Sequence, residues 1–164
     1  RGEGGEEGPR GLSVVINQSV QNHTAAPLQV QTLLNGPTLP PAELDYGADR
    51  QVVAGFFDGS RIEAEGHAIE SMSESSRSVE LLTNGDGEPA LWFGTGSTYF
   101  AALVWPQLAE GQSVPTIVEK ITATLLNPGE KRSWHRQVET QLLTRTREVA
   151  PGGPLDTPRA ADTI

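Results

Sequence analysis

The chain contains no cysteine. Disulfides, thiolate nucleophiles and cysteine-type zinc sites are thereby excluded together. Aromatic residues are scarce, at 5%, and there is a single methionine, so a core has to be assembled mostly from Val, Leu, Ile and Ala. Bases are also few: 12 Lys and Arg stand against 21 Asp and Glu, for a net charge of −9. A polyanion repels phosphate backbones, and no nucleic-acid contact is expected from this acidic body. No apolar run approaches the roughly 18 residues of a membrane-spanning helix, so no transmembrane segment is expected. The glycine signatures of dinucleotide and nucleotide-phosphate sites are missing too.

What the chain has in quantity is turn formers, with 18 Gly and 12 Pro among 164 residues. That length suits one domain. Residues 1–11 are rich in Gly and Glu and read as a flexible leader, and residues 150–164 as an irregular Pro/Gly-rich tail. Residues 12–149 carry the ordered apolar pattern of a single domain.

Within that domain the signal is period two. Leu12, Val14, Ile16 and Val20 share one face of residues 12–21, which leaves Asn17 and Ser19 on the other. Ile62, Ala64, Gly66 and Ala68 alternate with Arg61, Glu63, Glu65 and His67, the pattern of a strand with one buried face. Asp58-Gly59 and Asn84-Gly85 supply the positive φ that tight turns need, and Asn127-Pro128-Gly129 fits a type II turn. Residues 116–126 and 134–143 also match a helical period, with capping-box spacing at Thr116 and Glu119. The β-branched content and the short turn between them favour strands. The expectation is an all-β chain, an antiparallel β-sandwich (jelly-roll or Ig-like) of about nine strands with irregular N- and C-terminal tails. The opening pattern, a strand with Ile-Asn, a short turn, then Pro and a second strand, resembles the start of lipid-binding cytolysins, viral-coat jelly rolls and extracellular Ig-like modules. The diagnostic motifs of these groups are missing.

Catalytic and cofactor chemistry finds little footing. His23, His67 and His135 are far apart and in no ligand-spaced motif. Asn84-Gly85-Asp86-Gly87-Glu88 places oxygens like a calcium loop, but Thr95 stands where the bidentate Glu is needed, and a turn explains the stretch better. Ser97 lies outside any G-x-S-x-G context. Glu63 and Glu65 share a strand face, as any solvated face allows. No catalytic, cofactor-binding or metal residue is assigned, and no cofactor.

Two features suggest protein contacts instead. The stretch 99–105 is apolar on both faces, with Tyr99, Ala101, Leu103 and Trp105 on one and Phe100, Ala102 and Val104 on the other. It reads either as a central strand covered by another layer or as a strand whose outer face packs on a partner. Charge is also segregated: residues 41–90 hold eleven acids and three bases, while 131–147 hold five bases and one acid. Candidate interface residues are therefore Tyr99, Phe100, Leu103, Trp105, Arg132, Arg136, Arg145 and Arg147.

The expected function is a non-catalytic structural or interaction protein, a sandwich subunit or accessory module of a larger assembly such as a particle shell. It would act through protein partners, copies of itself included. The alternative is a secreted glycan- or membrane-binding module using Trp92, Phe93, Trp105 or Trp134; a small hydrolase ranks last. Two glycosylation sequons, at Asn17 and Asn22, do not fix the compartment, and both an extracytoplasmic setting (secreted or ER lumen) and assembly in a particle stay open. Asn22, just past the expected strand, is the better acceptor on that reading.

Overall fold

The computed structural model describes residues 14–39, 49–73, 75–98, 100–108, 110–132 and 135–153. The leader, most of the tail, Tyr99 and Trp134 lie outside these residues. The described chain is an all-β antiparallel sandwich, as the alternation and turn spacing predict. Ten strands follow in order: β1 (Leu28–Val30), β2 (Leu33–Leu39), β3 (Gln51–Phe57), β4 (Ile62–Ala68), β5 (Ser78–Glu80), β6 (Ala90–Gly96), β7 (Ala101–Val104), β8 (Val118–Leu125), β9 (Val138–Thr144) and β10 (Arg147–Val149).

Two four-stranded sheets, β2-β9-β8-β5 and β4-β3-β6-β7, face each other, and β1 pairs with β10 in a two-stranded extension. β1–β2 and β10–β9 run as one ribbon broken at Thr32 and Thr144. There the Thr144 N–H donates to the Thr32 carbonyl at 2.9 Å, and the Thr144 hydroxyl accepts the Thr32 N–H at 2.9 Å. The core between the sheets contains Val52, Ala54, Phe56 and Phe93 from one side and Ile121, Ala123, Leu125, Val138 and Leu142 from the other.

The turns form where the sequence places them, but two differ in type from the expectation. In the 84–88 turn the positive φ falls on Gly87 (+84°) and not on Gly85, and the Asn127–Glu130 turn is not type II, because Gly129 does not take a positive φ. In the β3–β4 turn the Asp58 carboxylate accepts the N–H groups of Ser60 (2.7 Å) and Arg61 (2.8 Å), and Gly59 takes φ +90°. In the 84–88 turn Asn84 Oδ1 accepts the N–H of Asp86 (3.1 Å) and of Glu88 (2.9 Å), and its Nδ2 donates to Glu88 Oε2 (2.8 Å). The chain then splits between sheets, since β5 pairs with β8 while β6 pairs with β3 and β7. The helix-or-strand ambiguity of residues 116–126 resolves into both. One helical turn, α1 (Val114–Ile117), leads directly into β8. Its start is closed by the Thr116 hydroxyl, which accepts the Ser113 N–H at 3.2 Å, rather than by the Thr116–Glu119 spacing.

Three expectations are corrected. Residues 14–20 are not a strand: they form no hydrogen bond with another described residue, and Val14 and Ile16 are each 82% exposed. The pattern for a strand is present, but no described strand lies beside it to complete the ladder. Residues 99–105 do not make a central strand, because β7 is an edge. The apolar row of β4 faces out of the sandwich. Val52, Ala54 and Phe56 point into the core, and their register partners are His67, Glu65 and Glu63. Directly opposed residues share a side of the sheet, so Ile62, Ala64 and Ala68 lie on the outer one.

Candidate functional site

The register of the β4-β3-β6-β7 sheet defines its outer face. Ala68, Gly66, Ala64 and Ile62 on β4 oppose Gln51, Val53, Gly55 and Phe57 on β3. Trp92, Gly94 and Gly96 of β6 lie opposite Gly55, Val53 and Gln51, and β7 continues the row with Leu103 and Ala101. No charged residue stands on this face across four strands. Phe57 is 46% exposed, Ile62 57% and Leu103 39%. An antiparallel sheet that keeps one face in water ordinarily shows polar side chains there; this one puts its acids at the inner rim and its apolar residues outside.

The face is kept flat by glycine. The Trp92 indole lies directly over Gly55, where an added Cβ would sit 2.1 Å from ring atom Cε2. Phe57 pairs with Ile62 at one end. At the other, Phe100 is 82% exposed and Trp105 is 55% exposed at the ends of β7. A tight turn leads into that strand: the Ser97 N–H donates to the Phe100 carbonyl at 2.7 Å, and Ser97 Oγ accepts the Phe100 N–H at 3.2 Å.

The basic candidates have separate fates. Arg136 is tied into the fold, contrary to its reading as an interface charge. Its Nη1 donates to the carbonyls of Ile69 (3.3 Å), Glu70 (3.1 Å) and Met72, and its Nε to that of Glu130 (3.3 Å). The buried Arg50 donates to the Arg136 carbonyl at 2.7 Å; burial lowers the pKa of Arg50, and the Glu70 charge partly offsets this. Arg145 Nε donates to the Pro115 carbonyl at 2.6 Å. Arg132 is exposed and Arg147 is half-buried on β10.

The sequons also change places. Asn22 is fully buried. Its Nδ2 donates to the carbonyls of Ala26 (2.8 Å) and Val149 (2.9 Å), and its Oδ1 accepts the Thr24 N–H (2.8 Å) and hydroxyl (2.7 Å). Its backbone closes on the far end of the chain, donating to Gly153 at 3.3 Å and accepting from Gly152 at 2.9 Å. A glycan on Nδ2 would displace these bonds, so the solvated-loop picture of Asn22 is wrong. Asn17 is exposed.

Of the rings named for a glycan or lipid contact, Phe93 is buried, Trp92 is half-buried on the outer face and Trp105 is exposed. His23, His67 and His135 stay on separate segments, with His135 Nδ1 3.7 Å from Glu130. Among the described residues no three His, Asp or Glu side chains converge as metal ligands, and no helix is long and apolar enough to cross a membrane. Comparison with family models, with curated proteins and with solved structures gives no match.

Of the apolar candidates named from the sequence, Phe100, Leu103 and Trp105 are exposed; Ile62 and Phe57, not named among them, join Leu103 on the outer face. Both were legible as large apolar residues flanking the Asp58-Gly59 turn; what was missing was the side they take.

Proposed function

We propose that this chain is a non-catalytic β-sandwich subunit of a larger assembly, acting through protein–protein contacts. The observation that carries the reading is the uncharged outer face of the β4-β3-β6-β7 sheet, with Ile62, Phe57 and Leu103 exposed on it. Contiguous exposed apolar surface marks interaction sites. Sheet faces that pack on a second layer bury such rows. A particle shell is one assembly that stacks sandwich subunits in this way.

The exposed rings Phe100 and Trp105 favour a second reading, insertion into a membrane or stacking on a glycan. The net charge of −9 works against anionic lipid surfaces and favours a protein partner.

Light scattering after size exclusion tests the reading. The wild-type chain is expected to associate, and Ile62→Lys, which sets a charge in the middle of the face, to weaken that association at least tenfold. A monodisperse monomer that also yields no partner in cross-linking overturns it. Flotation with neutral vesicles moves the weight to the second reading.

A further inference from the structure

Two halves of a β-ladder lack a partner strand among the described residues of this chain. The first is residues 14–20, Val-Val-Ile-Asn-Gln-Ser-Val. They carry no charge, no Gly and no Pro, and they form no hydrogen bond with another described residue. Val14 and Ile16 are each 82% exposed and Val15 is 58% exposed. The segment is followed by the buried Asn22 node, which anchors its C-terminal end.

The second half is an edge strand with no charge along it. Exposed edges are ordinarily guarded by charges, proline, bulges or short length. Of the four edges in the two large sheets, β4 carries Glu63 and Glu65 and is preceded by Arg61, which pairs with Asp58 and Glu63. β2 contains Pro37 and a register shift between Asn35 and Thr38. β5 is three residues long and bounded by Arg77 and Glu80. β7, Ala-Ala-Leu-Val, carries no charge, proline or register shift along its four residues and is flanked by the exposed rings of Phe100 and Trp105.

Seven extended residues span about 23 Å at the antiparallel rise, enough to cover the whole of β7, whose four residues span about 14 Å. Pairing residues 14–20 along β7 would give each the ladder partner that no other described strand provides and set their β-branched side chains beside Leu103, a recognised mode of strand addition.

We propose that residues 14–20 of one copy add as a fifth strand to the β7 edge of a second copy. Donor and acceptor are different surfaces, so the contact is head-to-tail and builds a ring or an open chain. This rests on the assembly reading above and names its geometry.

Mixing experiments test it. Val14→Lys/Ile16→Lys spoils the donor outside the core and leaves the acceptor intact, whereas Leu103→Lys does the reverse at an outward position. Ala101→Lys stands in if Leu103→Lys fails to keep the wild-type circular dichroism and melting profile. The wild type is expected to form oligomers at about 100 μM, well above a micromolar Kd. Each variant alone is expected to be monomeric, and an equimolar mixture of the two to form dimers and nothing longer, since one intact donor and one intact acceptor remain. A monomeric wild type overturns the proposal, as does association that survives Val14→Lys/Ile16→Lys. If association survives those substitutions but is lost in Ile62→Lys, the strand addition falls while the reading of the outer face stands. Capture of a different protein's strand by β7 likewise overturns the homotypic contact and leaves that reading in place.

Discussion

The side-chain amide of Asn22 donates to the carbonyl of Val149 at 2.9 Å, and both residues are essentially inaccessible. This one bond joins the start of the described chain to its last strand. With Thr24, Ala26, Gly152 and Gly153 it satisfies every polar atom of Asn22. The arrangement fixes β10 against the N-terminal turn and sets the point from which residues 14–20 depart.

Asn22→Ala should therefore be a stability variant. It removes the Asn22 donor from the Val149 carbonyl and the acceptor from the Thr24 N–H, while the Thr24 hydroxyl keeps the Ala26 carbonyl at 2.8 Å, and a buried polar group left unsatisfied costs about 1–3 kcal/mol. A net loss of about 2 kcal/mol corresponds to a melting temperature lower by about 4–8 °C for a chain of this size. Asn22→Asp keeps Oδ1 but loses both Nδ2 donors and is expected to fall nearly as far. Differential scanning calorimetry reads the effect. Expression in a glycosylating host adds a second readout: peptide mass mapping should find Asn22 bare in the folded protein, with any glycan confined to Asn17.

The contrast between Asn22 and β4 shows what the sequence could and could not convey. Alternation identified β4 and its neighbours because the period of two is local. It could not say which row faces inwards, since that depends on register against β3, and a strand shifted by one residue exchanges its faces. Residues 14–20 have the composition of a strand, but a ladder needs a second strand, and pairing is not written in one segment. Asn22 and Arg136 were read as surface groups because polar side chains usually are. The burial of Asn22 and the tethering of the half-buried Arg136 become visible only when the carbonyls that receive their protons are brought together from distant segments.

Gly55 and Trp92 offer a test of the outer face itself. A methyl group at position 55 would lie 2.1–2.5 Å from three atoms of the indole. Gly55→Ala is expected to push the ring off the sheet, at a cost of about 1–3 kcal/mol from overpacking. Tryptophan emission should shift to the red, and the shift should vanish when the substitution is made in a Trp92→Phe background. An unchanged spectrum and melting curve would contradict the close ring–glycine contact.

Arg136 separates structural from interfacial roles. Its guanidinium donates to four carbonyls on two segments, and hydrogen bonds to charged groups contribute about 1.5–3 kcal/mol each at most. Arg136→Ala is expected to lower stability by about 2–3 kcal/mol, read from the urea midpoint, without a specific effect on association. Lys at this position should recover only part, because an ammonium cannot span the same spread of acceptors as the planar fork. Arg132→Ala, at an exposed position, is expected to leave the midpoint nearly unchanged.

Acid should loosen two turns first. The Asp58 carboxyl is held below its ordinary range by the N–H of Arg61, then by the N–H and hydroxyl of Ser60. Glu130 is held low mainly by the Arg132 N–H, with the charges of His135 and Arg132 adding to it. A depressed folded value means that the unfolded chain binds these protons first as pH falls, so stability rises with pH across that window. The contribution is complete above the ordinary carboxyl values near pH 4 and is lost as pH drops through the lower folded ones. The urea midpoint of the wild type is expected to be flat from about pH 7 to about pH 5 and to decline below about pH 4. In Asp58→Asn/Glu130→Gln the decline should be shallower, since neither turn then has a proton to take up. An equally steep decline in the double variant would show that other carboxyls govern the acid limb.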